Sequence, residues 1–486
     1  MSGHAEYPGS DVRAKLDHPV VDADGHTIEC EWLLDEYVRD VAGPEILARW
    51  LKRPAPYGPT KMIWWGYPSA AHTRDRAMSM FPRYFAARME ECGIDFAHML
   101  TTAGLATLYV RDDELRQAGC RALNTMYADM FRDTNERIRP VACIPTFTPE
   151  EAIRELEFAV LELGHKAVMV GTEIRKPYPE VFRDAPQFGQ FAERWQSIAI
   201  DPPHDYDPFW QRCVELGVAP ICHTSHIGAQ HRRSSSNYVF NHLGMFAGGS
   251  EHFCRALLLG GVTNRFPNLN FGLLEGGVAW AVTLLNDIVE HFEKRNVTDL
   301  IENLDPAKLD IDLLAQLADE YGGPRITGER IRERPHSRSS DPKRPELFDE
   351  FAACGMTEVH DLRKLFCDNF YFGCEADDRM MSVGFNRKLS PVGQPLKAVF
   401  GSDIGHWDVM DARSILSESY GLVEAGLITQ DDFSAYTWRN PVSLHLGMNP
   451  DYFKGTVIEA EAEKLKAKLP KRATPTQSSK PVSSRA

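Results

Sequence analysis

Short apolar runs alternate with longer amphipathic segments along most of the chain. Eight of these runs are predicted strands, and they span residues 19–24, 95–102, 139–145, 165–171, 218–223, 269–275, 369–375 and 396–403. The segments between them are predicted helices; residues 150–163, for example, follow a Thr-Pro start signal and end at Gly164. Eight strands separated by helices are typical of a TIM barrel. We therefore expect an α/β fold, a distorted (β/α)8 barrel with inserted cap segments.

Two inserts interrupt this alternation. The first, near residues 50–80, carries the aromatic stretch RPAPYGPTKMIWWGYP, and we expect it to pack as a cap close to the substrate. The second, near residues 322–345, is basic and polar, which favours a solvent-exposed loop. Residues 1–18 are predicted to be an N-terminal arm and residues 19–462 the barrel. Residues 463–486 become rich in Lys, Pro, Thr and Ser, so we expect a frayed helix and then a disordered tail.

Composition and charge restrict the class of partner. The formal net charge of −15 disfavours nucleic acid and anionic membranes, because both attract a positive protein surface. No apolar run approaches the roughly 18 residues of a membrane span, and the N-terminus has no apolar signal core. The ten cysteines include no CxxC pair, which favours reduced thiols. We expect a cytoplasmic protein with a small-molecule substrate.

Polar side chains follow the predicted strands at the end where a barrel builds its active site. Asp24 and His26 are two residues apart on an extended segment, so both side chains face the same way. A carboxylate and an imidazole can share a divalent cation. The alternative is a strand-end turn with a capping Asp and a solvent-facing His, and this motif alone favours neither.

Two later strand ends carry the same kinds of side chain. His223 ends the fifth predicted strand and His226 follows it; Asp403 ends the eighth, and His406 follows three residues later. A lone His is more often structural than a ligand. However, Asp and His residues at the ends of several separate strands are poorly explained by chance. The sequence therefore predicts a metal centre with these ligands: Asp24, His26, His223 and Asp403, with His406 as a weaker candidate.

The chain also resembles a known family. The stretches VVDADGHTIE, GIDFAHMLTTAG, LGHKAVMVG, APICHTSH, FPNLNFGLLEGGVAW and VFGSDIGHW occur in family order between Pro19 and Gly447. They are similar to the amidohydrolase-related metalloenzymes (amidohydrolase family 2), which include aminocarboxymuconate semialdehyde decarboxylase and the γ-resorcylate and 5-carboxyvanillate decarboxylases. The resemblance implies a metal-dependent barrel enzyme that self-associates.

The resemblance also implies roles for individual residues. The family's first-strand ligands match Asp24 and His26, its fifth-strand histidine matches His223, and its eighth-strand aspartate, a ligand that often handles protons, matches Asp403. Several relatives carry a histidine on the sixth strand, where this sequence has Glu275. Glu275 therefore stands as a candidate catalytic group or second-metal ligand, or else as a carboxylate that only holds an arginine of the preceding loop.

The loop after His223 carries further candidates for binding and catalysis. His226 and Arg232 are candidate catalytic residues, and Arg233 is a candidate for binding substrate, because a guanidinium suits carboxylate and phosphate groups. A surface loop with solvated charges is the alternative. Trp64 and Trp65 of the first insert are candidates to cover an aromatic substrate.

These observations support three hypotheses about function. The first is hydrolysis or non-oxidative decarboxylation of a small acidic or aromatic substrate with a divalent metal, Zn or Mn, with Fe possible. The second is an iron or manganese dinuclear oxygenase resembling 2-aminoisobutyrate hydroxylase, since Glu275 adds a carboxylate that a second metal can use. The third is a non-catalytic metal-binding subunit that works with a paired related chain.

Overall fold

The computed structural model describes residues 7–53, 63, 65–188, 192–226, 229–335 and 349–469. Within these ranges the strands are β1 (Val21–Thr27), β2 (Phe96–Thr101), β3 (Ile138–Ile144), β4 (Ala167–Val170), β5 (Glu173–Pro177), β6 (Glu193–Ser197), β7 (Pro220–Cys222), β8 (Phe271–Leu273), β9 (Phe370–Glu375) and β10 (Lys397–Gly401).

The longer helices lie between these strands and after the last one. They are α1 (Glu31–Trp50), α2 (Thr73–Met80), α3 (Pro82–Cys92), α4 (Asp113–Met130), α5 (Pro149–Glu157), α6 (Asp207–Leu216), α7 (Met245–Leu259), α8 (Ala279–Arg295), α9 (Ile311–Tyr321), α10 (Ile415–Glu424) and α11 (Glu459–Lys466). Shorter helices include Gly9–Arg13, Thr102–Thr107, Pro179–Asp184, Tyr238–His242, Gly328–Glu333, Met381–Phe385, Gln430–Ser434 and Asn440–Leu446.

Eight strands form a parallel barrel in the order β1-β2-β3-β4-β7-β8-β9-β10. The two ends of this order meet, because the Asp403 amide donates to the Asp24 carbonyl at 2.8 Å and the His26 amide donates to the Ile404 carbonyl at 2.9 Å. The register of β1 against β2 shifts between Asp22 and Gly25, as at a bulge. Bulges beside active sites re-aim side chains, and this one lies next to Asp24.

The barrel predicted from the sequence is confirmed, and each of the eight predicted strands overlaps an observed one. The antiparallel hairpin of β5 and β6 was not predicted. Its two strands read EIRKP and ERWQS, so they lack the apolar run that marked the barrel strands.

Local sequence signals explain where the helices begin and end. The Thr148 side chain caps α5 by accepting from the Glu151 amide, and Pro149 occupies the first turn. The helix continues as a π-helix over Phe158–Glu162 and stops at Gly164, whose φ is 79°. The expected helix over residues 150–163 therefore forms, although its last turn is wider than an α-helix.

The expected inserts and termini are only partly covered by the described residues. The first insert contains α2, and the second contains Gly328–Glu333. Residues 54–62, Trp64, residues 336–348 and residues 470–486 lie outside the described ranges. The centre of the first insert, the last part of the second and the disordered tail therefore stay predictions, as do the domain boundaries. Helix α11 continues to Lys466, at the start of the segment expected to be a frayed helix and then a tail. In the described part of the chain no helix is both long and apolar enough to cross a bilayer. All ten cysteines are unpaired.

Two histidines that are not among the predicted ligands are also buried, His98 in β2 and His445 in the helix Asn440–Leu446. The rings of His98 and His445 stack with centroids 4.4 Å apart, and Tyr452 stacks on His445 at 4.3 Å. His98 Nε2 lies 2.9 Å from the Tyr452 hydroxyl. Burial lowers the pKa of His98 to about 4, so this ring is neutral in the folded protein near pH 7.

We predict that the cost of replacing His98 depends on pH. The unfolded histidine binds a proton near pH 6.5 but the folded one only near 4, so wild-type stability falls as pH drops through this window. The loss of stability in His98→Gln should therefore shrink by about 2 kcal/mol between pH 7 and pH 5, measured by urea unfolding. The exposed His291→Gln is the control, and a His98→Gln cost that is equal at both pH values would contradict the burial effect.

Candidate metal centre

Four strands bring five candidate ligands to one end of the barrel. Asp24 and His26 lie in β1, His223 directly follows β7, and Glu275 and Asp403 follow β8 and β10. All five side chains are buried. The set predicted from separate strand ends is thus brought together at the carboxyl ends of the strands, where barrels bind their ligands.

The donor atoms of these side chains face one another. His26 Nε2 lies 3.2 Å from His223 Nε2 and 3.4 Å from both Asp24 Oδ1 and Asp403 Oδ1. His223 Nε2 lies 2.9 Å from Glu275 Oε2 and 3.5 Å from Asp24 Oδ1. Glu275, whose role the sequence left open, therefore faces the two histidines.

His406 extends the cluster on one side. Its Nδ1 lies 2.6 Å from Asp403 Oδ1, and its ring stacks on His26 with centroids 4.0 Å apart. The cluster thus contains two overlapping groups of possible ligands, each with its donor atoms within 4.8 Å of one another. One is Asp24, His26, His223 and Glu275; the other is His26, Glu275, Asp403 and His406.

These residues fit a divalent cation. Asp24 Oδ1, Glu275 Oε2 and both carboxylate oxygens of Asp403 are buried and accept no hydrogen bond of good geometry in the described part of the chain, although imidazole nitrogens lie 2.6 Å from Asp403 Oδ1 and 2.9 Å from Glu275 Oε2. Buried oxygens of this kind need a partner, and a cation provides one. A Zn²⁺-sized ion with bonds of about 2.1 Å holds neighbouring ligands about 3.0–3.4 Å apart, close to the separations seen around His26.

The electrostatics of the cluster also favour a cation. Burial raises the pKa of Glu275 to about 7, although His223 opposes the rise. Burial, and next the charge of Glu275, raise the pKa of Asp403 well above its usual range. Burial would lower the pKa of His223, but Asp24 and Glu275 raise it to about 10. The raised pKa values mean that these groups hold protons, which balance the charge of the buried carboxylates. A bound cation would replace those protons.

The backbone at two of the ligands is strained. Glu275 and Asp403 have φ values of 52° and 50°, in the left-handed region that non-glycine residues seldom adopt. Such conformations persist where the surrounding structure holds them, and they concentrate at functional sites. Gly405 follows with a φ of 113°, and a Cβ there would lie 2.8 Å from the His26 carbonyl oxygen.

Asp22 supports the cluster and was missed in the sequence. Its Oδ2 accepts from the Ser402 hydroxyl at 2.6 Å, and its Oδ1 accepts from the Ser402 amide at 2.9 Å and the Asp24 amide at 3.1 Å. Asp22 therefore ties the backbone of both ligand strands together. The alternation of Asp22, Asp24 and His26 along one strand is the sequence signal that could have identified it.

Some predicted residues lie elsewhere. His226 Nε2 is 3.5 Å from Glu173 Oε2 and is not part of the two ligand groups. Arg232 donates to the carbonyls of Leu243 and Gly244, so its described contacts secure the loop before α7 rather than a substrate or Glu275. Arg233 is half-buried in the same loop, and neither arginine lines the cavity described next.

A cavity of about 1250 Å³ opens onto the cluster, and Glu275 and His406 line it. Other parts of its wall are aromatic or charged. The aromatic and cationic side chains are Tyr67, Tyr109, Tyr238, Phe246, Trp407, Arg53, Arg76, Arg111 and Lys176, and the acidic ones are Glu29, Glu31, Asp35, Asp112 and Asp408. Trp65 packs edge-on against Trp407 and Tyr238, with ring centroids 5.5 and 5.9 Å away. Trp65 is therefore next to the cavity wall, as expected for a cap, whereas its neighbour Trp64 is not described.

A buried centre of imidazoles and carboxylates at the mouth of a (β/α)8 barrel defines the class of this protein. The amidohydrolase family model matches residues 22–326, which is more than half of the chain. The protein therefore belongs to the amidohydrolase family, as the sequence motifs indicated. A comparison with curated protein sequences found no match.

The chain is similar to several solved structures at low sequence identity, and an amidohydrolase among them shows the same fold. An amidohydrolase from Mycobacterium avium subsp. paratuberculosis K-10 is 17% identical, with 88% of this chain and 99% of that chain covered and a TM-score of 0.51. A dihydroxybenzoic acid decarboxylase from Polaromonas sp. JS666, determined with manganese and 2-nitroresorcinol, is 17% identical over 88% and 97%, with a TM-score of 0.47. A 5-carboxyvanillate decarboxylase from Sphingomonas paucimobilis is 14% identical over 88% and 98%, with a TM-score of 0.45.

We predict that Ser402→Ala weakens metal binding. The substitution removes the 2.6 Å hydrogen bond to Asp22 and loosens the segment that carries Asp403. Loss of such a supporting contact typically reduces metal affinity about 10–100-fold, which competition with a chelator measures. Ser417→Ala is the matched control, because it also removes a buried hydroxyl but one bonded to the carbonyls of Tyr7 and Ser414. Equal affinity in both variants would contradict the role of Asp22 and Ser402.

Proposed function

We propose that this protein is a metal-dependent enzyme that hydrolyses or decarboxylates a small acidic or aromatic substrate. The observation that carries the proposal is the opening of the cavity onto a buried set of metal-ligand side chains, through Glu275 and His406. A site that combines an apolar and aromatic wall with a few convergent polar groups suits a small molecule. Membership of the amidohydrolase family supports the same reaction classes.

The residues divide into those that hold the metal and those that reach the cavity. Asp24, His26 and His223 would hold a divalent cation, which polarises a water or a substrate oxygen when bound. Asp403 and His406 are in contact at 2.6 Å, and His406 lines the cavity. This pair is placed to move a proton between the centre and a substrate in the cavity.

We predict that Asp403→Asn loses most of the turnover. An amide cannot take up and release a proton as the Asp403 carboxylate can, so kcat is expected to fall about 10²–10⁴-fold. The assay is a panel of aromatic carboxylic acids and cyclic amides, with the protein loaded with Zn²⁺ or Mn²⁺. Asp287→Asn, an exposed carboxylate on α8, is the matched control. Full turnover by Asp403→Asn would refute this role.

Among the cationic side chains of the mixed cavity wall, Arg76 supports an acidic substrate. Arg111 pairs with Glu193, and Lys176 lies 3.5 Å from Asp113, so both charges are already matched. Arg76 is half-buried in the cavity wall, 5.6 Å from the ring of Tyr67, and has no carboxylate partner among the described residues. Its guanidinium is therefore available to an anionic group of the substrate.

We predict that Arg76→Gln raises KM for anionic substrates about 10–100-fold, because a charge-assisted hydrogen bond is lost. The KM for a neutral amide analogue of the same substrate should stay unchanged. Arg74→Gln, an exposed arginine on the same helix, controls for the loss of net charge. If Arg76→Gln affects neutral and anionic substrates alike, Arg76 does not bind the anionic group.

A specific observation favours a second candidate function, a dinuclear oxygenase. The two ligand groups share His26 and Glu275, and together they offer three imidazoles and three carboxylates, a mixed shell that iron and manganese accept. Elemental analysis of purified protein separates the candidates. One zinc or manganese per chain and no oxygen uptake supports the hydrolase or carboxy-lyase; two metals including iron, with substrate-dependent oxygen uptake, supports the oxygenase.

A further inference from the structure

The hairpin of β5 and β6 contains a buried arginine, Arg175, that lies between two aromatic rings and donates hydrogen bonds to two neighbours. The Arg175 guanidinium lies 4.0 Å from the ring centroid of Tyr109 on one side and 4.1 Å from that of Trp195 on the other. Its Nε donates to Glu173 Oε1 at 2.7 Å, and its Nη2 donates to the Ser225 carbonyl at 2.8 Å. We call Glu173, Arg175, Tyr109 and Trp195 the Arg175 clamp.

The Arg175 clamp contacts each of the three residues that follow His223. The Tyr109 hydroxyl lies 2.6 Å from Thr224 Oγ1, Arg175 bonds the Ser225 carbonyl, and Glu173 Oε2 lies 3.5 Å from His226 Nε2. The Thr172 hydroxyl adds a 2.6 Å contact to Thr224 Oγ1. Contacts from Tyr109 and from the hairpin region therefore restrain the three consecutive residues Thr224–His226.

His223 itself lacks the usual support for a metal-binding histidine. Such a ring normally donates its second N–H to a carbonyl or carboxylate that sets its orientation. His223 Nδ1 is buried without a hydrogen-bond partner in the described ranges. Its strand β7 has only three residues, Pro220–Cys222. Apart from the contacts of its Nε2 with Glu275 and His26, the ring is positioned by packing against Phe246, 4.8 Å away, and by the backbone that follows it.

The ion pair of Glu173 and Arg175 restrains the position of neighbouring groups more than it stabilises the folded protein. Burial would raise the pKa of Glu173, but Arg175 overrides it and holds the pKa at about 2, so the pair stays ionised. Buried ion pairs add little net stability, because desolvation cancels most of the attraction. Their strict geometry nevertheless restrains the groups they contact.

We infer that the Arg175 clamp is a positioning device for His223, which holds the imidazole in the metal centre through the backbone of Thr224–His226. This inference rests on the metal centre of the proposed function. Tyr109 and Arg175 act through His223 and are positioning residues rather than ligands.

The test is a Co²⁺ titration of metal-free protein, followed by visible absorption. Tyr109→Phe removes only the hydroxyl that reaches Thr224 and keeps the ring over Arg175, so it is the variant least expected to disturb folding. Arg175→Lys keeps the charge and loses the stacked planar fork. Tyr452→Phe is the matched control, since it loses a buried 2.9 Å hydrogen bond to His98, which is in neither ligand group.

We expect Tyr109→Phe and Arg175→Lys to bind Co²⁺ about 10–100-fold more weakly than wild type, with an altered d–d absorption spectrum at saturation. Tyr452→Phe should lose stability and keep both affinity and spectrum. If the clamp variants only lower the melting temperature and bind Co²⁺ like wild type, the inference is wrong and the metal centre stands. If wild type itself fails to bind Co²⁺, the proposed metal centre fails, and the inference fails with it.

Discussion

The contact between β1 and β10 is the constraint on which the candidate site depends. In this contact Asp22 accepts two hydrogen bonds from Ser402, a residue 380 positions later in the chain. One step further, the Asp403 amide donates to the Asp24 carbonyl. These bonds close the barrel and at the same time place one ligand strand against the other. The same interaction therefore determines the fold and the geometry of the site.

β1 and β10 pack closely where the barrel closes, which explains why a glycine lies there. A Cβ on Gly401 would lie 3.0 Å from the Asp24 Cβ, so a larger side chain would separate the strands. Asp403 and Glu275 adopt left-handed backbone conformations, and their carboxylates are buried near two imidazoles. Strain and desolvation both oppose this arrangement. A cation bound among the carboxylates would offset part of the cost, which is why we interpret the cluster as a metal centre.

The sequence predicted the parts of the structure that depend on local pattern. The barrel strands are apolar runs that end in polar residues, so both the fold and the convergence of Asp24, His26, His223 and Asp403 could be predicted. The hairpin of β5 and β6 could not, because its polar strands carry no apolar run and its role depends on the stacking of Arg175 between distant rings. Arg232 was a candidate catalytic residue because its loop follows a ligand strand in the sequence, but in the fold it donates to backbone carbonyls. The position of Glu275 next to His223 also required the fold, since the sequence alone allowed a ligand, a proton carrier or an arginine partner.

The central claim is that the side chains at the mouth of the barrel form a metal centre. The most direct measurement is a crystal structure of the protein saturated with Mn²⁺ or Zn²⁺, with anomalous data collected at the absorption edge of that metal. The account predicts an anomalous peak within about 2.3 Å of His26 Nε2 and His223 Nε2, with Asp24 and Glu275 or Asp403 completing the ligands. A fully loaded crystal with its anomalous peaks only elsewhere on the protein would contradict it.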